Sequence, residues 1–179
     1  MFSIVNYKKI NFLKNATGEG GALHKMIEQL EPENRIIHIW NKKEGRMWGQ
    51  CTESQILDLV KKNIGLYEVM STYPIKLYFD IDEKEDFKGL EYFKTIIKKY
   101  IPGAKLSISG NETELKNSYH IIINNYKIES HEELLFFKAF ISHLNKTENK
   151  AFDISVYGHN KNMKAINQAK TKNQREYKQ

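Results

Sequence analysis

Two aspartates two residues apart are the side chains best placed to do chemistry in this sequence. Asp80 and Asp82 end a strand-like run over residues 75–82. Side chains two apart on a strand share a face, so this spacing crowds two carboxylates together, with Lys76 and Tyr78 on the same face. Like charges this close repel unless a cation lies between them, and hard oxygen ligands suit Mg²⁺ or Mn²⁺. The pair therefore predicts a metal site.

Asp153 adds a third carboxylate from a later strand-like run over residues 152–157. Three carboxylates around one site can hold two divalent ions roughly 4 Å apart, the arrangement that activates an attacking hydroxyl in phosphoryl transfer. Asp80, Asp82 and Asp153 would be those ligands. The alternative is structural, because the paired acids also run into an acidic stretch over residues 83–86 that is typical of a turn.

Three further side chains are of the kind that binds phosphate. The His120 imidazole and the Ser118 hydroxyl can hydrogen-bond phosphate oxygens of a nucleotide, and Lys116 in a polar loop can reach the same oxygens. A lone histidine is more often structural and a loop lysine more often solvated, but His120 has a predicted position beside the aspartates. A basic run that suits a triphosphate follows. It comprises Lys161, Lys164, Lys170, Lys172 and Arg175.

The elements that must position these side chains alternate between strand and helix patterns. Leu90–Tyr100 has a helical pattern that Pro102 and Gly103 stop, and Ser130 with Glu133 three residues later caps a second helix. The apolar stripe of that second helix is Leu134, Phe137, Ile141 and Leu144, and the predicted strands are residues 75–82, 105–109, 118–123 and 152–157. The order β-α-β-β-α-β is the ferredoxin-like plan that RNA-recognition (RRM) modules also use.

This plan predicts where the chemical side chains lie. Right-handed crossovers place the first strand in the centre of the sheet, between the third and fourth strands, both antiparallel to it. The end of the first strand then meets the starts of the other two, so the aspartates lie beside Ser118 and His120. Alternation along the fourth strand places Asp153, Ser155 and Tyr157 on one face. Five side chains are therefore expected at one end of the sheet, namely Asp80, Asp82, Ser118, His120 and Asp153.

The first seventy residues carry few chemical side chains. Thr52 followed by Gln55 matches a capping box for a short amphipathic helix. Residues 24–30 read as a helix and residues 36–40 as a strand. The sequence predicts a scaffold here.

Composition indicates a polyanionic partner and a reducing compartment. The formal net charge is +6 over 179 residues, which favours binding to nucleic acid. Cys51 is the only cysteine, so neither a disulfide framework nor a Cys-rich zinc site can form within the chain. No apolar run approaches the roughly 20 residues of a membrane span, and residues 1–11 lack the layout of a signal peptide. We expect an intracellular protein with no membrane partner.

Together these motifs resemble those of the archaeo-eukaryotic primase superfamily, especially its PrimPol branch and the primase domains of viral and plasmid primase-helicases. Four motifs occur in the family's order and spacing. They are the paired acids in residues 77–82, the Lys-Asn-Ser-Tyr-His of residues 116–120, the third acid in residues 153–157 and the basic segment of residues 160–164 with Lys170. Residues 67–70 are similar to the segment that usually leads into the first motif.

The resemblance implies an α+β primase fold in one catalytic domain. An RRM-like catalytic module over residues 71–170 would pack on an N-terminal α/β module over residues 1–70. Residues 171–179 would be a polar tail, leading to a missing C-terminal region such as a helicase.

The resemblance also implies roles for the candidate residues. Asp80, Asp82 and Asp153 would be catalytic ligands of two Mg²⁺ or Mn²⁺ ions. The phosphates of an incoming NTP or dNTP would contact Lys116, Ser118, His120, Lys161, Lys164 and Lys170. PrimPol relatives often have arginine where Lys161 and Lys164 stand, and lysine keeps the charge but loses bidentate geometry. The expected activity is template-directed primer synthesis for DNA replication on single-stranded DNA, which the basic surface holds through its backbone.

Two other functions fit parts of the pattern. A metal-dependent nuclease would use Glu114 and Lys116 as a Glu-x-Lys motif, but this motif belongs on a strand and here lies in a polar loop, and His120 and Asp153 are left unused. A non-catalytic RRM-like nucleic-acid-binding module fits the topology and the charge, but it would present base-stacking aromatics rather than aspartates on its sheet face.

Overall fold

The computed structural model describes residues 4–7, 10–14, 21–41, 45–61, 66–70, 73–84, 86–158 and 161–164. The strands are β1 (Ile4–Tyr7), β2 (Ile10–Lys14), β3 (Arg35–Asn41), β4 (Gly45–Cys51), β5 (Leu66–Val69), β6 (Ile75–Glu83), β7 (Leu106–Glu112), β8 (Asn117–Ile128) and β9 (Asn162–Lys164). The helices are α1 (Ala22–Glu28), α2 (Glu53–Val60), α3 (Leu90–Tyr100) and α4 (His131–Thr147). The chain divides into one unit of residues 1–72 with 162–179 and a second unit of residues 73–161.

The first unit is an antiparallel six-stranded sheet with apolar side chains on both faces. Its strand order is β1-β2-β4-β3-β5-β9. On one face Ile37, Ile39 and Met47 cluster with Leu59 of α2. On the other face the apolar residues of the sheet cluster with Leu23 and Met26 of α1. Each helix therefore buries its apolar side against one face of the sheet.

Local sequence signals in the first unit are confirmed. The side chain of Thr52 accepts a hydrogen bond from the Gln55 amide and the Gln55 side chain accepts one from the Thr52 amide, so α2 begins with the predicted capping box. The predicted strand over residues 36–40 lies within β3, and the predicted helix over residues 24–30 overlaps α1. No helix in the described part of the chain is long and apolar enough to cross a membrane.

The second unit is a three-stranded antiparallel sheet with α3 and α4, in the order β6-β8-β7. Helix α3 has the predicted bounds, and the four residues of the predicted α4 stripe are all buried. The Ser130 side chain accepts a hydrogen bond from the Glu133 amide at 3.2 Å, as the capping pattern predicts. Both sheets are antiparallel and accompany helices, so the protein is of the α+β class.

The predicted fourth strand over residues 152–157 is wrong. Phe152 forms an isolated antiparallel bridge with Ile81, and Ile154–Val156 is then a 3₁₀ turn. A short-range hydrogen bond favours the turn, because the Asp153 carboxylate accepts from the Ser155 amide at 2.8 Å. Aspartate side chains that bond the backbone two residues on favour turns over continued pairing. Asp153, Ser155 and Tyr157 therefore do not alternate along a strand.

The basic residues at the end of the chain are divided between the two units. Lys161 belongs to the second unit and is exposed. Lys164 ends β9, which pairs with β5 in the first unit. Lys170, Lys172 and Arg175 lie outside the described residues.

Candidate functional site

The pairing of β6 with β8 joins two of the predicted motifs. Asp80 lies directly opposite His120, and Asp82 lies directly opposite Ser118. The His120 Nε2 atom is 3.4 Å from Asp80 Oδ1. The Ser118 hydroxyl donates to Asp82 Oδ1 at 2.8 Å. The two carboxylates and the two phosphate-binding candidates therefore share the end of one sheet face, as the sequence pattern predicts.

Residues 151–153, the outer segment, lie along the other edge of β6. The Asp82 amide donates to the Ala151 carbonyl and the Asp153 amide donates to the Asp80 carbonyl, both at 2.8 Å. These bonds flank the bridge between Ile81 and Phe152, so Asp80 and Asp153 face each other across the two segments. Asp80 thus has His120 on one side and Asp153 on the other. We call Asp153, Asp80 and His120 the Asp–Asp–His row.

Lys116 contacts the site from the turn between β7 and β8. Its Nζ atom is 2.7 Å from Asp82 Oδ2. The Thr113 hydroxyl holds the turn, because it donates to the Lys116 carbonyl at 2.7 Å and accepts from the Lys116 amide at 3.0 Å. About a third of each side chain in the ion pair is exposed. The lysine is therefore near the surface, where it can exchange Asp82 for another anion.

Two tyrosines hold the chain just after the outer segment against β6. The Tyr78 hydroxyl donates to the Val156 carbonyl at 3.1 Å, and the Tyr157 hydroxyl donates to the Tyr78 carbonyl at 2.9 Å. Their rings stack at 5.1 Å between centroids. Tyr78 shares its strand face with Asp80 but is buried, with its ring stacked on that of Tyr157. This part of the face is therefore closed, and the polar surface begins at Asp80.

Burial is the main reason that both of these tyrosines resist ionisation. It raises the pKa of the Tyr78 hydroxyl, and the negative charge of Asp80 raises that pKa further. Burial also raises the pKa of Tyr157, with added contributions from Tyr78, Asp80 and Asp153. Both hydroxyls are therefore protonated hydrogen-bond donors at neutral pH.

Phe152 fixes the outer segment from the opposite face. The ring is buried, with its centroid 5.9 Å from that of Phe79 and 5.5 Å from that of Phe93. The neighbouring Asn145 amide group adds two hydrogen bonds to the Phe152 backbone, at 2.8 and 3.2 Å. Asp153 follows directly in the chain, so this packing sets the position of its carboxylate.

Glu83 and Asn117 support the site and were missed by the sequence reasoning. Glu83 is 2% exposed and accepts hydrogen bonds from Asn117 Nδ2, the Lys88 amide and the Gly89 amide. The acid belongs to the buried end of β6 rather than to a solvated acidic turn. Strand alternation continued one residue beyond Asp82 would have placed it inward.

The donor set of the site suits a hard divalent cation. Asp80 and Asp153 oppose each other on adjacent segments, where like charges repel unless a cation or proton lies between them. In the described part of the chain no group of three or more His, Cys, Asp or Glu side chains is already arranged as a metal site. Asp82 instead faces Lys116, and Asp153 accepts the Ser155 amide. Metal binding by the three aspartates would require these two side chains to change partners.

An open groove of about 650 Å³ lies against the outer segment. Its lining residues are Asp82, Glu83, Lys84, Asn149, Lys150, Ala151, Phe152, Asp153, Ile154 and Ser155. The groove therefore reaches two of the three candidate ligands.

The Glu-x-Lys of the nuclease alternative lies in the turn between β7 and β8. Glu114 and Leu115 are exposed there, and Leu115 is 84% exposed. The motif therefore lies in a turn and not on a strand, which confirms the polar loop predicted from the sequence.

Compared with known proteins, the chain matches no protein-family model and no curated protein sequence.

Proposed function

We propose that the protein is a DNA primase or primase-polymerase that joins nucleotides on a single-stranded DNA template. The observation that carries this proposal is the Asp–Asp–His row, in which Asp80 lies between His120 and Asp153. Asp82 and Ser118 form the adjacent pair. The proposal is supported because carboxylates of the kind that bind cations lie next to donors of the kind that bind phosphate, and nucleotidyl transfer needs both.

The three aspartates are the groups that would hold two Mg²⁺ or Mn²⁺ ions, since hard cations prefer carboxylate oxygens. Such ions lower the pKa of an attacking hydroxyl and neutralise a triphosphate. Asp80 and Asp153 come from adjacent segments joined by two backbone hydrogen bonds, and the packing of Phe152 holds Asp153 beside β6. Lys116 would release Asp82 as the metal and nucleotide bind.

The phosphate-binding side chains orient the nucleotide. Ser118 and His120 would donate to triphosphate oxygens, and Lys116 would move from Asp82 to a phosphate. In the reaction the oxygen of a 3′-hydroxyl bonds to the α-phosphorus while the bond from that phosphorus to the bridging oxygen of the β-phosphate breaks. Pyrophosphate leaves and the hydroxyl proton passes to solvent. Lys161, in the second unit, is proposed as a further phosphate contact.

The fold of the second unit supports the RRM-like assignment within this proposal. The element order β6-α3-β7-β8-α4 and the sheet order β6-β8-β7 agree with a ferredoxin-like plan. Phe152 bridges to β6 on the edge where that plan has its fourth strand. We propose that the outer segment takes the place of that strand. We also propose a helicase as a partner of the protein, as the family resemblance implies.

Primer formation on a homopolymer template tests the function. The protein is incubated with Mg²⁺ or Mn²⁺ and either ribo- or deoxynucleotides, and labelled products are separated by length. We expect short primers from the wild-type protein. A labelled primed template that becomes shorter instead of longer would identify a nuclease. Binding without synthesis under every condition would identify a non-catalytic binding module.

The Asp80→Asn variant tests the proposed site directly. It keeps the shape of the side chain and removes the charge, so synthesis should fall by at least about 100-fold while DNA binding is retained or improved. Glu132→Gln on the exposed start of α4 is the matched control and should keep full synthesis. Synthesis that survives in Asp80→Asn would refute the mechanism.

A further inference from the structure

The groove beside the outer segment has the size and position of a binding site for part of a nucleic acid. Its volume of about 650 Å³ lies within the range of ~300–1,000 Å³ that holds small organic ligands. Asp82 and Asp153 line it, so anything bound there reaches the candidate catalytic carboxylates. Ile154, 36% exposed, gives the groove an apolar wall that a sugar or base can contact.

The lining of the groove includes two lysines as well as three acids. Lys84 and Lys150 line the groove, are exposed, and form no ion pair with another described residue. Of the three acids, Asp82 faces Lys116, buried Glu83 accepts three hydrogen bonds, and Asp153 is a ligand of the metal ions in the proposed function. Two lysines in this setting favour an anionic ligand, and a phosphodiester backbone is the anion that accompanies the proposed function.

The two sides of β6 offer separate positions for the two reactants of an in-line reaction. Ser118, His120 and Lys116 lie toward β8, where they would hold the triphosphate and the leaving pyrophosphate. The groove lies on the opposite flank, along the outer segment. In-line displacement requires the attacking oxygen and the leaving oxygen on opposite sides of the phosphorus. The attacking 3′-hydroxyl would therefore approach from the groove.

We infer that this groove binds the sugar–phosphate backbone of the strand that is extended, with its 3′-terminal nucleotide beside Asp82 and Asp153. Lys84 and Lys150 bind phosphates of that strand. The inference rests on the proposed function, because it assigns the primer strand to the same site.

Lysine-to-glutamine substitutions test this assignment. Lys84→Gln with Lys150→Gln removes both charges, and Lys98→Gln with Lys105→Gln is the control, since those two lysines are also exposed and have no ion pair among the described residues. Binding of a labelled primer–template junction is measured by fluorescence anisotropy in EDTA over a series of salt concentrations. The affinity of the groove variant should fall on the order of ten-fold at about 0.1 M salt, with a salt slope smaller by about two. The control should change much less.

Steady-state extension separates the primer site from a nucleotide site. The groove variant should raise the KM for primer ends and leave the KM for the incoming nucleotide unchanged. A raised nucleotide KM with normal junction binding would assign the groove to the triphosphate and overturn the inference. Equal losses in both double variants, or no loss in either, would also overturn it.

The failure of the proposed function has a different signature. If the wild-type protein makes no product yet binds the junction through Lys84 and Lys150, the primase proposal fails and the groove remains a nucleic-acid site. If the wild-type protein extends primers and the groove variant matches it in binding and KM, the inference fails alone.

Discussion

The two edges of β6 hold their neighbouring segments by different means. On one edge, all nine residues of β6 pair with β8, and this ladder positions Ser118 and His120. On the other edge, the outer segment pairs through one bridge and two backbone hydrogen bonds, and Asp153 depends on packing by Phe152 and Tyr157. The candidate phosphate-binding flank is thus built by backbone, and the candidate primer flank by a few side chains. The second flank should therefore be the easier one to disturb by single substitutions.

The largest effect is expected for Phe152→Ala. Removing a buried ring that packs on Phe79 and Phe93 should lower the free energy of unfolding by about 3–5 kcal/mol, measured by urea denaturation. Phe136→Ala is the matched control, because Phe136 is 81% exposed and its loss should change stability by less than about 0.5 kcal/mol. If the alanine variant does not fold, Phe152→Leu gives a milder test. A Phe152 variant as stable as the control would show that side-chain packing does not hold this edge.

A smaller effect is expected for Tyr157→Phe. The change leaves the buried Tyr78 carbonyl without its donor, which should cost about 1–3 kcal/mol at neutral pH. Tyr126→Phe is the control, since Tyr126 is 40% exposed and its hydroxyl donates to Pro102 at 3.3 Å. Urea denaturation of both variants measures the difference, and equal costs would contradict a special role for Tyr157.

The pH dependence of the same variant sharpens this test. The pKa of Tyr157 is raised from an ordinary 10.0, so the unfolded chain ionises first as the pH rises. The contribution of Tyr157 to stability is therefore complete below about pH 10 and is lost above it, at ~1.4 kcal/mol per pH unit. Between about pH 9 and pH 11 the free energy of unfolding of Tyr157→Phe should fall less steeply than that of the wild-type protein. Identical slopes would contradict the burial of this hydroxyl.

The smallest effect on stability is expected on the β8 flank, for Lys116→Gln. An ion pair that is about a third exposed contributes at most about 1 kcal/mol, and less in high salt. Lys61→Gln is the control, since its pair with Asp58 is largely exposed. The two variants should be similarly stable, whereas only Lys116→Gln should raise the KM for the nucleotide. An unchanged nucleotide KM would remove Lys116 from the phosphate site.

Structural features that depend on one short segment could be predicted from the sequence. The capping box of Thr52 and Gln55, the bounds of α3 and the buried stripe of α4 follow from hydrogen bonds and periodicity over a few residues. Alternation on β6 and β8 likewise predicts which side chains share the face of Asp80. These predictions need no knowledge of distant contacts.

The sequence by itself therefore determined β6, α3, β7, β8 and α4 of the second unit and the face on which its paired acids lie. Only the tertiary structure decided that Asp153 reaches Asp80 from a bridge and a turn instead of a strand, and that Glu83 is buried. The physical reason is a competition between two interactions. The hydrogen bond from the Ser155 amide to the Asp153 carboxylate favours a turn over sheet pairing, and the buried ring of Phe152 holds the segment beside β6. The outcome of this competition depends on contacts between residues far apart in the chain, so a local sequence pattern does not predict it.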